Sequence, residues 1–147
     1  MIKKIVIGTL FLFLLIGITS AADINNLKCP DGWESVGGGS YHEIDESTGM
    51  GSGQNMMIEK WSDSLKDEYY QNSTEDQYTV IEDANNTFMY VDSLNQNAGC
   101  FEVVEIDGEK YFVNFWTADY TDSEEIADTT YFMVKFNELN NLKSIEI

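Results

Sequence analysis

Asp107-Gly108 stands between two runs of strand-forming residues, Cys100 to Ile106 and Glu109 to Trp116. Two such runs joined by Asp-Gly predict a β-hairpin. The type I′ turn needs positive φ at both central residues, and its twist suits the strands it joins. A two-residue turn also sets the register: Ile106 faces Glu109, Glu105 faces Lys110, Val104 faces Tyr111 and Val103 faces Phe112. Glu105 and Lys110 then make a favourable cross-strand charge pair. Apolar residues occupy both faces of both runs, so the hairpin is expected at the centre of a sheet.

Strands and a helix precede this hairpin in the sequence, and a second helix follows it. Pro30-Asp31-Gly32 marks a turn, Trp33 to Val36 a short strand, and Gly37-Gly38-Gly39 its end. Ser40 to Asp45 alternates, with Tyr41 and Glu43 on one face and His42 and Ile44 on the other. Ser47 to Gln54 carries three glycines and reads as a flexible connection to a returning strand, Asn55 to Trp61. Ser62 or Ser64 caps a helix on which Trp61, Leu65 and Tyr69 share a face and which fades by Asn72. Gln77 to Ile81 and Thr87 to Val91 are strands about a turn at Asp83 to Asn86. Thr121 to Asn141 is the closing helix. Thr121-Asp122-Ser123-Glu124 matches a capping box, and its acids suit the positive helix start. Ile126, Thr129, Phe132, Met133, Phe136 and Leu139 trace its apolar stripe. Ile145 and Ile147 are expected in a last extended segment. The fold class is α+β: a mostly antiparallel sheet of about six or seven strands packed by two helices.

Met1-Ile2-Lys3-Lys4, the uncharged run Ile5 to Ile18 and the small residues Thr19-Ser20-Ala21-Ala22 have the layout of a secretory signal peptide. The apolar run is shorter than the roughly 20 residues of a membrane span. The expectation is a signal peptide over residues 1–22 and one secreted or cell-surface domain over 23–147, with no membrane span after cleavage. Two cysteines in an exported chain read as a disulfide, here Cys29–Cys100. Its loop of about seventy residues would contribute roughly 4 kcal/mol in the chain-entropy model. The alternatives are two free buried thiols, or a reactive thiol paired with His42. Asn72-Ser73-Thr74 and Asn85-Asn86-Thr87 are N-glycosylation sequons, making Asn72 and Asn85 candidate acceptors.

Charge excludes several functions. Lys and Arg together number 8, all of them lysine, against 26 Asp and Glu, for a net charge of −18. A chain of this balance lacks the cationic footprint that nucleic acid requires, and it disfavours anionic lipid headgroups. Its surface is solvated and self-repelling, and a monomer is expected. The single histidine, His42, has no nucleophile elbow to serve and reads as a strand residue at the sheet surface or rim. One histidine and two cysteines do not make a zinc site of the usual type. Calcium needs six to eight oxygens. The best acidic cluster is Asp119, Asp122, Glu124 and Glu125, followed by Glu82 and Asp83 with Asn85, and the plain reading of both is helix capping and solvated acid. No cofactor is expected. Trp33, Trp61 and Trp116, with Tyr41, Tyr69, Tyr70 and Tyr111, form either core or a sugar- or peptide-binding face. The function expected is a non-catalytic accessory or binding domain for a protein, peptide or cell-envelope component. The alternative is a divalent-cation or small-solute binding module using acidic loops.

The segments Cys29-Pro30-Asp31-Gly32-Trp33-Glu34-Ser35-Val36-Gly37, Tyr78-Thr79-Val80-Ile81, Asn86-Thr87-Phe88, Phe101 to Gly108 and Phe136-Asn137-Glu138-Leu139-Asn140 resemble those of small exported proteins of methanogenic archaea, of the Methanobrevibacter kind. The resemblance implies an exported protein and no particular activity. The order of elements is also similar to the PsbP-like α+β fold, where a Pro-Gly-Trp entry leads to a strand pair, a helix, a meander and a closing helix. Fold alone does not fix function.

Overall fold

Asp107 and Gly108 both adopt positive φ, 53° and 78°. The strands they join have the register read from the sequence, from Ile106 opposite Glu109 to Val103 opposite Phe112. In the computed structural model, which describes residues 24–68, 78–84, 86–119 and 121–146, these strands are β6 (Asn97–Ile106) and β7 (Glu109–Thr117). Five others are β1 (Trp33–Gly37), β2 (Ser40–Asp45), β3 (Met50–Lys60), β4 (Tyr78–Ala84) and β5 (Thr87–Asp92). They form one seven-stranded sheet in the order β1-β2-β3-β7-β6-β5-β4, and every neighbouring pair is antiparallel. One helical turn, α1 (Asp63–Lys66), follows β3, and a long helix, α2 (Ser123–Asn140), follows β7. The chain is therefore α+β, with the Asp-Gly hairpin inside the sheet.

Strand alternation divides the core between two faces. On the face under α2, Met56, Ile58, Cys100, Val104, Ile106, Val113 and Phe115 meet Met133 and Phe136 of the helix. On the opposite face Phe88, Tyr90, Phe101 and Phe112 form an aromatic cluster, with Met57, Trp61 and Leu65 against it. Phe88 and Phe101 stack with ring centroids 5.0 Å apart. The Ser62 hydroxyl caps α1 by accepting from Leu65 N, which turns Leu65 back onto this cluster. The expected continuation of this helix through Tyr69 to Asn72 lies outside the described residues.

The closing helix departs from expectation at both ends. Its N-cap is Asp122, whose carboxylate accepts from the backbone N–H of Glu124 and Glu125. Thr121 is instead turned toward Asp119, to which its N–H and hydroxyl both donate. At the far end Leu139 is exposed and Asn140 is buried. The Asn140 amide donates to the Lys28 and Phe136 carbonyls and accepts from Lys28 N, clamping the entering chain to the helix. Asn141 takes a left-handed conformation, so Leu142 N reaches back to the Asn137 carbonyl and Leu142 folds into the core, as in a Schellman ending. Ser144 then bridges to Val104, just past Glu102, which pairs with Thr87 at the start of β5. The final extended segment expected from the sequence is this short addition to the sheet.

Three further expectations are corrected. The connection over Ser47 to Gln54 is shorter than expected, because β3 already pairs with β2 at Met50 and Gly51. Glu105 and Lys110 face each other, but the ion pair at that end of the sheet joins Lys60 to Glu109 at 3.1 Å. The Cys29–Cys100 disulfide is not formed, and both thiols are free. Cys100 is enclosed under α2 with its sulfur 4.0 Å from that of Met133. Cys29, next to the clamped Lys28, sits half-buried at the border of the same cluster. The expected signal peptide over 1–22 lies outside the described residues.

Gly99 is where β6 and β7 approach too closely for a side chain. A methyl there would clash with the Phe115 carbonyl oxygen and lie 2.9 Å from Trp116 Cα. Gly99→Ala is expected to cost about 3 kcal/mol, the upper range for forcing bulk into a packed site. A urea unfolding midpoint within error of the parent protein would contradict this packing.

Candidate functional site

The α2 helix lies over β7 and β6, and the sheet continues past it to β5. Where the cover ends, a groove of about 640 Å³ opens between α2, β5, β6 and the segment after α2. Met89, Met133, Val134 and Leu142 form its apolar walls, while Thr87, Glu102, Thr130, Asn137, Lys143 and Ser144 supply polar groups. The surface that these residues expose to the groove is mostly apolar, with polar groups placed within it, as in many small-ligand sites.

Glu102 is the central polar group. It occupies a core-facing position on β6 in phase with Cys100 and Val104, and is only 2% exposed. The Asn137 amide N–H donates to Glu102 Oε1 in a short hydrogen bond, and the Thr87 hydroxyl donates to Oε2 at 3.4 Å. Burial pushes the Glu102 carboxyl above its ordinary range, and these two donors offset only part of that rise. Among the described residues its carboxylate has no ion pair. Lys143 lines the same groove but is exposed. Asn137 Oδ1 is buried without a hydrogen-bond partner. Thr130 Oγ1 is buried too, and although the Cys100 thiol lies within its electrostatic reach, it makes no hydrogen bond of normal geometry. Buried polar atoms are ordinarily paired, so a groove holding these two oxygens beside an uncompensated carboxyl has capacity for a ligand.

Other candidate residues are dispersed. Asp119 is held below the usual carboxylate range by its hydrogen bonds from Thr121, Asp122 caps α2, and Glu125 accepts from the Thr117 hydroxyl at 2.7 Å. Glu124 is exposed in the first turn. Among the described residues no three His, Cys, Asp or Glu side chains come together as a metal site. Asn72 and Asn85, like Tyr69 and Tyr70, lie outside the described residues.

The aromatic residues do not form one face. Trp33 packs edge-on to Phe115 and Phe132 on the α2 side, with Tyr41 and Tyr111 against the same cluster. Trp61 stacks on Phe112 across the sheet, and Trp116 borders a shallow depression with Tyr90 and Asn114. His42 sits near the sheet edge with Nε2 2.9 Å from Glu34 Oε1, on the face opposite Tyr41. Cys29 lies on the Tyr41 side, its thiol pushed up by burial to about 11. The sheet thus separates the histidine from this thiol. Cys100 is pushed by burial to about 12, so both thiols stay protonated at neutral pH and are weak nucleophiles.

Glu102, Asn137, Thr87 and Thr130 were not singled out from the sequence. One signal was present: Glu102 stands between Cys100 and Val104 in a strand whose residues are apolar on both faces, so its phase leaves no solvated side for a charge. A charge in that phase must be buried, and a buried charge needs a reason. Comparison with protein-family models, with curated proteins and with solved structures finds no match. Among the described residues no helix is long and apolar enough to cross a membrane.

The raised carboxyl gives a signed pH dependence. Between the ordinary carboxylate range and the raised folded value, the native state holds a proton that the unfolded chain has lost. Stability contributed by this group is complete below that window and is lost as pH rises through it. Glu102→Gln keeps an acceptor for Asn137 and cannot ionise. Near neutral pH it is expected to stabilise the protein by about 1–2 kcal/mol, the scale of a buried polar penalty. Urea unfolding at a series of pH values should show this gain shrinking toward acid. A gain independent of pH, or a loss at neutral pH, would contradict the assignment.

Proposed function

We propose that this protein is a non-catalytic binding domain and that its ligand occupies the groove beside α2. The observation that carries the reading is the combination in one groove of a buried carboxyl without a countercharge and two buried oxygens without hydrogen-bond partners. A structural core gains nothing from this combination, since replacing such groups by apolar ones is often neutral or stabilising. Sites built for function carry that kind of cost. A non-catalytic role is supported by the two protonated thiols and by a single histidine engaged with Glu34.

The reading includes export through residues 1–22, action outside the cell or at its surface, and kinship with the small exported proteins of methanogenic archaea. It also includes the PsbP-like arrangement suggested by the order of elements. An acidic, arginine-free surface keeps such a domain soluble and away from anionic polymers.

Val134 is half exposed, lines the groove and takes no part in the buried core. Val134→Trp should fill the groove without unfolding the protein. Native mass spectrometry of protein isolated from its own source is expected to resolve a bound small molecule, and the variant is expected to lose it at least tenfold. A bare-chain mass that also fails to change on exposure to a library of small organic molecules would remove the proposal.

A further inference from the structure

Resting on the groove as the binding site, we infer that its ligand is a primary alkylammonium: an –NH3+ group held by Glu102 and Asn137, with an apolar stem lying along Met133 toward Thr130. A carboxylate has about four lone-pair positions, and the described donors to Glu102 are Asn137 Nδ2 and the Thr87 hydroxyl. Asn137 turns its N–H toward that carboxylate and leaves its oxygen buried and unpaired. What remains at this end of the groove is negative charge and acceptor capacity. An ammonium group brings positive charge and three N–H donors with no acceptor. An anionic ligand would be repelled, and a neutral alcohol would leave the carboxylate without a countercharge.

The walls determine the rest of the ligand. Met89, Met133, Val134 and Leu142 offer thioether and aliphatic surface, which suits a flexible hydrocarbon stem. Thr130 and Asn137 lie seven positions apart on one helix, about 10 Å along its axis, which leaves room for a stem of several carbons between them. The net charge of −18 favours the local concentration of cations. The charged and titratable groups facing the site are Lys143, from the segment after α2, and Cys100, from the same strand as Glu102. Lys143 makes no ion pair with Glu102 among the described residues, and the Cys100 thiol stays protonated.

The test uses n-pentylammonium chloride, with n-pentanol as the neutral probe and tetramethylammonium as a cation without N–H donors. Binding is followed through the methyl resonances of Met89 and Met133 at about pH 8, above the ordinary carboxylate range and below that of an alkylamine. The expected result is saturable binding of n-pentylammonium at least tenfold tighter than either control. Glu102→Gln should weaken it tenfold or more, the scale of a lost charge-assisted hydrogen bond, with the spectrum otherwise unchanged. Val134→Trp should abolish it. Equal binding of n-pentylammonium and n-pentanol, or an unchanged affinity in Glu102→Gln, would overturn the ammonium inference and leave the groove as a binding site. If no probe moves the two methyl signals, the groove reading falls as well.

Discussion

A helix with its side chains is about 10–12 Å across, while neighbouring strands lie about 4.8 Å apart. One helix therefore covers two or three strands, and this sheet has seven. That mismatch shapes the molecule. The long helix settles on β7 and β6, where apolar residues are densest, and the flanks must be covered by other means. On the β1 to β3 side the entering segment does this with Ile24, Leu27 and Cys29, held by the Asn140 clamp. On the β5 side the chain after the helix contributes Leu142 and Ser144. The cover there is partial, and the groove lies in the gap.

Glu102 stands at the boundary between the covered and open parts of the sheet. Its strand is buried on both faces through most of its length, so a carboxyl there loses hydration on every side. Asn137 and Thr87 return two hydrogen bonds, fewer than the group can accept. Neither donor is incidental. Asn137 is positioned by the last turns of the helix that also bury Phe136, and Thr87 begins the strand paired with β6. The groove is therefore built by the same contacts that build the core.

The sequence was most legible where the backbone chemistry is local. Asp107-Gly108 specified a turn, a register and a central position, and the structure has all three. The strands around it followed from alternation. The helix cap was displaced by one residue because two competing acceptors, Asp119 and Asp122, stand on either side of Thr121, and spacing alone does not rank them. The disulfide expectation rested on cysteine count and compartment, neither of which reports where a side chain points. Leu139 matched the helical stripe but faces solvent, since Asn140 takes the inner position to hold the entering chain. The groove was hidden for a different reason. It depends on which strands one helix leaves uncovered, a property of tertiary packing. Only the phase of Glu102 within its strand hinted at it.

The central claim is that Glu102 is a buried carboxyl without a countercharge in an open groove. Carbon-13 NMR titration of its side-chain carboxyl in the ligand-free protein tests this directly. The account predicts that Glu102 ionises at distinctly higher pH than an ordinary solvated glutamate. It also predicts that its midpoint falls when an alkylammonium ion binds. A Glu102 that titrates at or below the ordinary glutamate value would mean that the group is solvated or already paired, and the groove would lose the feature on which the proposed function rests.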